Sequence, residues 1–341
     1  MMLSNKCFII AELSANHGGD IEIAKETVRA AKRVGADAIK LQTYTADTIT
    51  LNIKSDLFKI NQGTAWDGQY LYDLYKEASL PWEWHKELYD LAKEEGLVCF
   101  SSPFDKTAVD FLEELNTPIY KVASFEITDI PLIKYIASKQ KPIIISTGIA
   151  TIEDIELAIE TCKEVGNNDI TILKCTSAYP ADPQDANLLT IPDIERRFKV
   201  KSGLSDHTTG IEAPMVAVAL GAKVIEKHFI LDKKIGGADA HFSLDETEFK
   251  QMVDAVRLTE KLIGCVDYTM TDKKKKSREF SRSLFVTEDV KLGDVISEEN
   301  IRSVRPGLGL HPKHYSEVLG KRYIADVNKG EPLTFEMIEK L

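Results

Sequence analysis

The sequence is short of several features, and each shortage narrows what the chain can be. No apolar stretch approaches the ~18 uninterrupted residues that span a bilayer, so a membrane protein is not expected. The opening residues MMLSNKCFIIAELS lack a long apolar run and a small-residue cleavage site, and enter strand-like sequence almost at once. A cytoplasmic location is expected. The five cysteines, Cys7, Cys99, Cys162, Cys175 and Cys265, are odd in number, scattered and free of CxxC spacing. They point away from a disulfide framework or a thiolate zinc site. Positive charge is also scarce: 43 Lys and Arg against 54 Asp and Glu leave a net charge of −11, without the global basic footprint of a nucleic-acid binder. The one cationic run, Lys273 to Lys276, lies in a polar stretch and reads as solvated linker.

What is present is a long, periodic α/β pattern. At 341 residues the chain exceeds the ~250–300 at which single cores stop growing, so a large and a small domain are expected. Eight β-branched or apolar runs alternate with helical stretches: 7–14, 38–44, 98–104, 119–124, 142–148, 169–177, 200–207 and 224–229. Their near-continuous apolar character fits parallel strands buried on both faces, and eight strand–helix units predict a (β/α)8 TIM barrel over residues 1–263. The unit after the sixth strand has the weakest helical pattern. Residues 264–280 are polar and lysine-rich and read as a linker. Residues 281–341 carry turn signals and two matching phrases, DVKLGDVIS and DVNKGEPLT, which predict a small pseudo-repeated β module.

In such a barrel the carboxyl ends of the strands face one common site. Nearly every predicted strand delivers a polar residue there: Glu12; Lys40 and Gln42; Ser101 and Ser102; Lys121, Ser124 and Glu126; Ser146 and Thr147; Thr176, Ser177 and Tyr179; Ser205, Asp206 and His207; Glu226, Lys227 and His228. Two lysines in apolar strands, with several hydroxyls, suit a small polyanion such as a phosphate-bearing carboxylate. The alternatives are that Lys40 and Lys121 pair with barrel carboxylates, or that one of them forms an imine as in class I aldolases. His207 and His228 fall at equivalent points of adjacent strands. They read either as two ligands of an Mn²⁺-like ion or as hydrogen-bonded core histidines.

The phrases FIIAELSANHGG, GADAIKLQTY, FSSPFD, YKVASFE, IISTGIA, LKCTSAYP, GLSDHT and VIEKHF, in that order, resemble the N-acetylneuraminic acid synthase family along essentially the whole chain. The tail, with RSLFV and SVRPGLG, is similar to that family's antifreeze-like (SAF) domain. AELSANH, AWDGQYLYDLYKEA, KCTSAYP, ADAHFSLDETEF and SVRPGLGLHPKHY look closest to its pseudaminic acid branch, with Ser177 where the N-acetylneuraminate branch has Asn.

The resemblance implies a metal-dependent condensation of phosphoenolpyruvate with an acetamido sugar. Lys121, Ser124, Ser205 and Ser177 would hold the phosphate, and Lys40, Ser102 and Ser146 the carboxylate. His207 and His228 would bind a divalent metal, Mn²⁺ first and Mg²⁺ or Co²⁺ as substitutes. Glu126 would move protons or orient water, while Glu12, Gln42, Tyr179 and Asp239 would face the sugar or the remaining metal positions; a turn role is the alternative for Asp239. The family pattern also implies a domain-swapped homodimer in which Arg305 reaches the partner's sugar pocket, against the alternative of a surface Arg in a Pro-Gly turn. Trp66 and Tyr70 would line the acyl-sugar side or pack the following helix.

Overall fold

A computed structural model describes residues 6–61, 63 and 66–340. Gln62, Thr64 and Ala65, the last of which opens the phrase AWDGQYLYDLYKEA, lie outside the described residues, as do residues 1–5 and 341. The chain divides into two compact units, Met1–Gly264 and Cys265–Leu341.

The first unit is a closed parallel barrel of eight strands in sequence order. They are β1 (Phe8–Glu12), β2 (Ala38–Thr43), β3 (Val98–Pro103), β4 (Tyr120–Val122), β5 (Ile143–Ser146), β6 (Ile170–Cys175), β7 (Lys201–Asp206) and β8 (Val224–His228). Successive side chains on a strand point to opposite faces. One set, including Ile9, Ala11, Leu13, Ile39, Leu41 and Ile225, packs against the surrounding helices. The other set fills the barrel, where Ile10, Ala38, Phe100, Ile119, Ile144, Leu173 and Val224 form a plug. Burial on both faces is why these strands read as continuous apolar runs.

The helices begin where short polar side chains cap them. Asp20, Asp105 and Asp129 accept backbone N–H groups at the starts of Ile21–Arg33, Lys106–Glu114 and Ile130–Ser138, and Thr151 and Asp245 make capping boxes for Ile152–Glu164 and Glu246–Ile263. The unit with the weak pattern does contain a helix, Thr190–Phe198, which buries Ile191 and Ile194. The β2–β3 connection is the longest excursion, holding the helices Ala46–Ile49, Leu71–Ala78 and Trp82–Glu94.

In the second unit β9 (Ser283–Val286) pairs antiparallel with β10 (Ile301–Val304) over a core that includes Leu284, Val290, Ile296, Val327 and Leu333. The two repeated phrases pair with each other. Val290 and Val327 exchange both backbone hydrogen bonds, at 2.9 and 3.0 Å, and Gly293 N donates to Tyr323 O as Gly330 N does to Val286 O, each at 2.8 Å. Gly293 and Gly330 have φ of 89° and 88°, so each phrase needs a residue without a Cβ at the same point of its turn. The segment read as linker is not wholly irregular: Asp272–Arg278 is a helix capped by Thr271, with every residue exposed, so no apolar periodicity marked it. No helix among the described residues is long and apolar enough to cross a membrane.

Candidate active site at the carboxyl end of the barrel

Above the apolar plug the inward positions turn polar and carry a buried layer of charge. Lys40, paired in register with Glu12, forms a 2.7 Å ion pair with it and donates to Ser102 Oγ at 3.2 Å. Lys121 donates to Ser146 Oγ at 2.7 Å and to Val122 O at 3.0 Å. Glu226 lies between the lysines, 3.8 Å from each Nζ, and accepts from Ser205 Oγ at 3.1 Å. The lysines therefore do meet barrel carboxylates, as one alternative allowed. Ser146 is brought to Lys121 rather than to Lys40.

Burial dominates the ionisation of this layer. It pushes the Glu12 carboxyl up to about 7 against the opposing charge of Lys40. Burial also pushes Glu226 upward, but Lys121 and Lys40 together outweigh it and hold that carboxyl below its usual range. Burial likewise lowers Lys121, whereas for Lys40 it is outweighed by Glu12 and Glu226, which keep that ammonium above its usual value. At neutral pH Glu226 is the firm counter-ion of the pair, and Glu12 is the carboxyl that can take up a proton.

A cavity of about 400 Å³ opens over this layer. At the barrel end it is lined by Gln42, Ser124, Glu126, Ser177, Tyr179, His228 and Asp239. Gln42 Nε2 donates to Glu12 Oε1 at 2.9 Å and to Ser14 Oγ at 3.0 Å, and Ser177 Oγ donates to Ser124 Oγ at 2.9 Å. Glu126 ends the 3-10 turn Ser124–Glu126 that follows β4. Burial pushes its carboxyl up to about 7 against the charge of Lys121, and its buried Oε2 has no hydrogen-bond partner. Such a carboxyl can give or take a proton near neutrality.

His207 and His228 come together, with ring centroids 5.3 Å apart. His207 Nδ1 lies 2.9 Å from Thr176 O, a contact in which Nδ1 donates and which leaves Nε2 as the free lone pair. Burial holds His228 well below its ordinary value and hence neutral; its buried Nδ1 has no hydrogen-bond partner and lies 3.6 Å from Asp239 Oδ2. Burial lowers His207 too, but Cys175 and the Thr176 carbonyl outweigh it and hold that imidazole above its ordinary value. The unpartnered nitrogen of neutral His228 and the free Nε2 of His207, once unprotonated, suit a divalent ion. Among the described residues no group of three or more His, Cys, Asp or Glu completes a protein cage. Two nitrogens with open positions is the set the residues offer.

Three comparisons bear on this arrangement. Residues 27–268 match the NeuB family and residues 281–339 the SAF domain. The chain belongs to the NeuB family. Within it, this NeuB-family chain is 51% identical over 328 residues to a pseudaminic acid synthase of Campylobacter jejuni, covering 96% of this chain and 95% of that one. It is 50% identical over 333 residues to a pseudaminic acid synthase of Helicobacter pylori, covering 97% and 98%. Among solved structures, an N-acetylneuraminic acid synthetase from Leptospira borgpetersenii in complex with citrate aligns with a TM-score of 0.71 at 29% identity, covering 80% of this chain and 91% of that one.

Not every strand-end residue of this NeuB-family barrel faces the site. Asp206 and Lys227 are register partners, alternate with Ser205 and Glu226, and form a buried ion pair with each other that also engages Thr208. Ser101 likewise bonds to Thr43 at 2.7 Å, and Thr43 to His85 at 2.8 Å, behind the barrel. Trp66 lines the cavity with its ring 5.9 Å from that of Tyr179, whereas Tyr70 lies under the Lys54 ammonium at the start of Leu71–Ala78, without a side-chain hydrogen bond to the helix end. Arg305 is exposed in the second unit, at a cis Arg305–Pro306 bond. Glu226 is the residue whose place between the lysines went unread; its spacing two before His228 was the available signal.

Proposed function

We propose that the chain is a pseudaminic acid synthase, condensing phosphoenolpyruvate with 2,4-diacetamido-2,4,6-trideoxy-L-altrose, adding water and releasing phosphate. The observation that carries this reading is the buried pair of lysines with serine hydroxyls beneath a cavity rimmed by Glu126 and two histidines. The half-identity to chains bearing that name supports the choice of sugar; N-acetylneuraminic or legionaminic acid synthesis is the same chemistry on another substrate.

In this reading Lys121, Ser124, Ser177 and Ser205 hold the phosphate, and Lys40 with Ser102 holds the carboxylate. Ser146, expected at the carboxylate, is bonded to Lys121, and in this reading it joins the phosphate side instead. An arriving anion displaces the carboxylates' claim on the lysines, and Glu12 answers by taking up a proton, since its carboxyl already sits at about 7. The lysines fix the enol phosphate so that its methylene carbon meets the sugar aldehyde at bonding distance. That attack breaks the aldehyde's C=O π bond, giving an alkoxide that takes up a proton to become the new hydroxyl, and leaves an oxocarbenium centre at the former enol carbon. Glu126 directs water onto it and takes the water's proton, and the tetrahedral intermediate expels phosphate by C–O cleavage. His207 and His228, with Asp239 beside them, hold the divalent ion, Mn²⁺ in this reading with Mg²⁺ or Co²⁺ as substitutes. When bound, the ion supplies Lewis-acid polarisation of the sugar's carbonyl. The enzyme works in the cytoplasm as a domain-swapped homodimer, with Arg305 of each SAF domain serving the other chain's sugar pocket.

The test is phosphate release from phosphoenolpyruvate, with Mn²⁺ and with EDTA, across the altrose, its legionaminic counterpart and N-acetylmannosamine. Metal-dependent release with the altrose alone is expected. Preference for another sugar would move the substrate, and no release with any sugar would defeat the synthase reading.

A further inference from the structure

Asp239 stands in a segment without regular structure of its own. Residues 236–243 form neither strand nor helix, yet Asp239 is buried, lines the cavity and keeps its Oδ2 3.6 Å from His228 Nδ1. A side chain on such a segment holds its place only where other groups brace the backbone that carries it. Here the brace comes from the turn after β1. Ala15 N–H reaches Asp239 Oδ2 at 3.4 Å, and the next residue, Asn16, is wholly buried. Asn16 Nδ2 donates to Phe229 O at 3.0 Å and to Ser243 Oγ at 2.8 Å, and Ser243 Oγ in turn donates to Asp239 O at 2.7 Å. Phe229 directly follows His228. One amide therefore fastens the chain just past His228 to the hydroxyl that holds Asp239.

We propose that Asn16 is a positioning residue: through Ser243 it sets the separation of Asp239 from His228, and so fixes negative charge beside the place where the divalent ion binds. The inference rests on the synthase reading for the use made of the ion, not for the brace itself. Asn16 is absent from the cavity lining, so it acts through Asp239 rather than on a ligand. Its Oδ1 is buried without a hydrogen-bond partner. An acceptor buried unpaired costs free energy and offsets much of what the two N–H bonds contribute, so this side chain does more for placement than for folding. Lys40 and Lys121 are held by Glu12, Ser102 and Ser146 instead, and the phosphoenolpyruvate half of the site does not depend on the brace.

The experiment follows Mn²⁺ binding by electron paramagnetic resonance, phosphoenolpyruvate binding by titration calorimetry, and melting temperature, on the intact wild type, Asn16→Leu and Ser243→Ala. Leucine keeps the branched shape of asparagine and has no donor. Ser243→Ala removes a single hydroxyl, and carries the test alone should the leucine variant not fold. Both variants should bind Mn²⁺ about tenfold or more weakly, the usual loss when a group behind a metal site is removed. Phosphoenolpyruvate affinity and melting temperature should stay close to wild type. An unchanged Mn²⁺ affinity in a folded variant overturns the brace, as does a wild type that binds no Mn²⁺. If phosphoenolpyruvate affinity and melting temperature fall in step with Mn²⁺ in Ser243→Ala, the network serves folding alone and the proposal is likewise overturned. Weakened Mn²⁺ binding at an unchanged melting temperature, with no phosphate release from the wild type on any sugar, upholds the brace and defeats the synthase reading instead.

Discussion

Glu126 shows how burial alone can prepare a side chain for chemistry. Its carboxyl sits at about 7 rather than the ordinary 4.5, because the cavity floor withholds water more effectively than Lys121 supplies charge. Between those two values the folded chain holds a proton that the unfolded chain has released. The neutral form's contribution to stability is therefore complete below 4.5 and lost as pH rises through about 7. Glu126→Gln should flatten the decline of melting temperature between pH 5 and pH 8, and should lower kcat by roughly 10²–10⁴ while removing an ionisation near neutrality from its pH profile. An unaltered pH slope in melting would reject the buried carboxyl. At the proposed metal positions, His207→Ala and His228→Ala should each reduce metal-dependent phosphate release by more than about a hundredfold, beyond the loss typical of outer partners. Their far-UV circular dichroism should match the wild type. Normal turnover in either variant would sink the two-histidine site.

At the scale of elements, the segments that follow β4, β5 and β6 meet at one point, and Gly148 makes that meeting possible. A Cβ there would fall 2.0 Å from Ser177 Oγ and 2.5 Å from Ser124 Oγ, closer than any real contact. Gly148→Ala should therefore part the two hydroxyls and raise KM for phosphoenolpyruvate by about tenfold or more, the cost of losing one or two hydrogen bonds. Steady-state kinetics with a melting control would check it, and an unchanged KM would remove the hydroxyl pair from the phosphate side.

The eight strands were legible because burial on both faces leaves a continuous apolar signature. The helices Leu71–Ala78 and Asp272–Arg278 were not: the first is two turns long and its apolar side, with Leu71, Leu74 and Tyr75, is only half-buried against the cavity, and the second is exposed throughout and has no apolar stripe. The site was legible in kind but not in parity. Grouping Asp206, Lys227 and Ser101 with their neighbours ignored the two-residue alternation of a strand, which already separates Lys227 from Glu226 and His228. The Lys40–Glu12 pair is a different case, because cross-strand register decides it and register cannot be read along one strand.

For the whole molecule, the proposed role of Arg305 is the one that would tie the SAF domain to the barrel's reaction. It is exposed in the SAF domain, while the proposed chemistry sits in the barrel. If each SAF domain serves the other chain's barrel, two variants that are inactive separately must complement each other. His228→Ala disables a barrel but carries an intact Arg305, and Arg305→Ala has an intact barrel but lacks the arginine it would lend. In a mixed dimer of the swapped kind, one site then receives both good parts and the other receives both defects. Co-refolding the two variants in equal amounts should restore roughly a quarter of wild-type phosphate release, because half the dimers are mixed and half of their sites are whole. If each SAF domain instead serves its own barrel, every site keeps one defect, and the mixture stays as inactive as its parents.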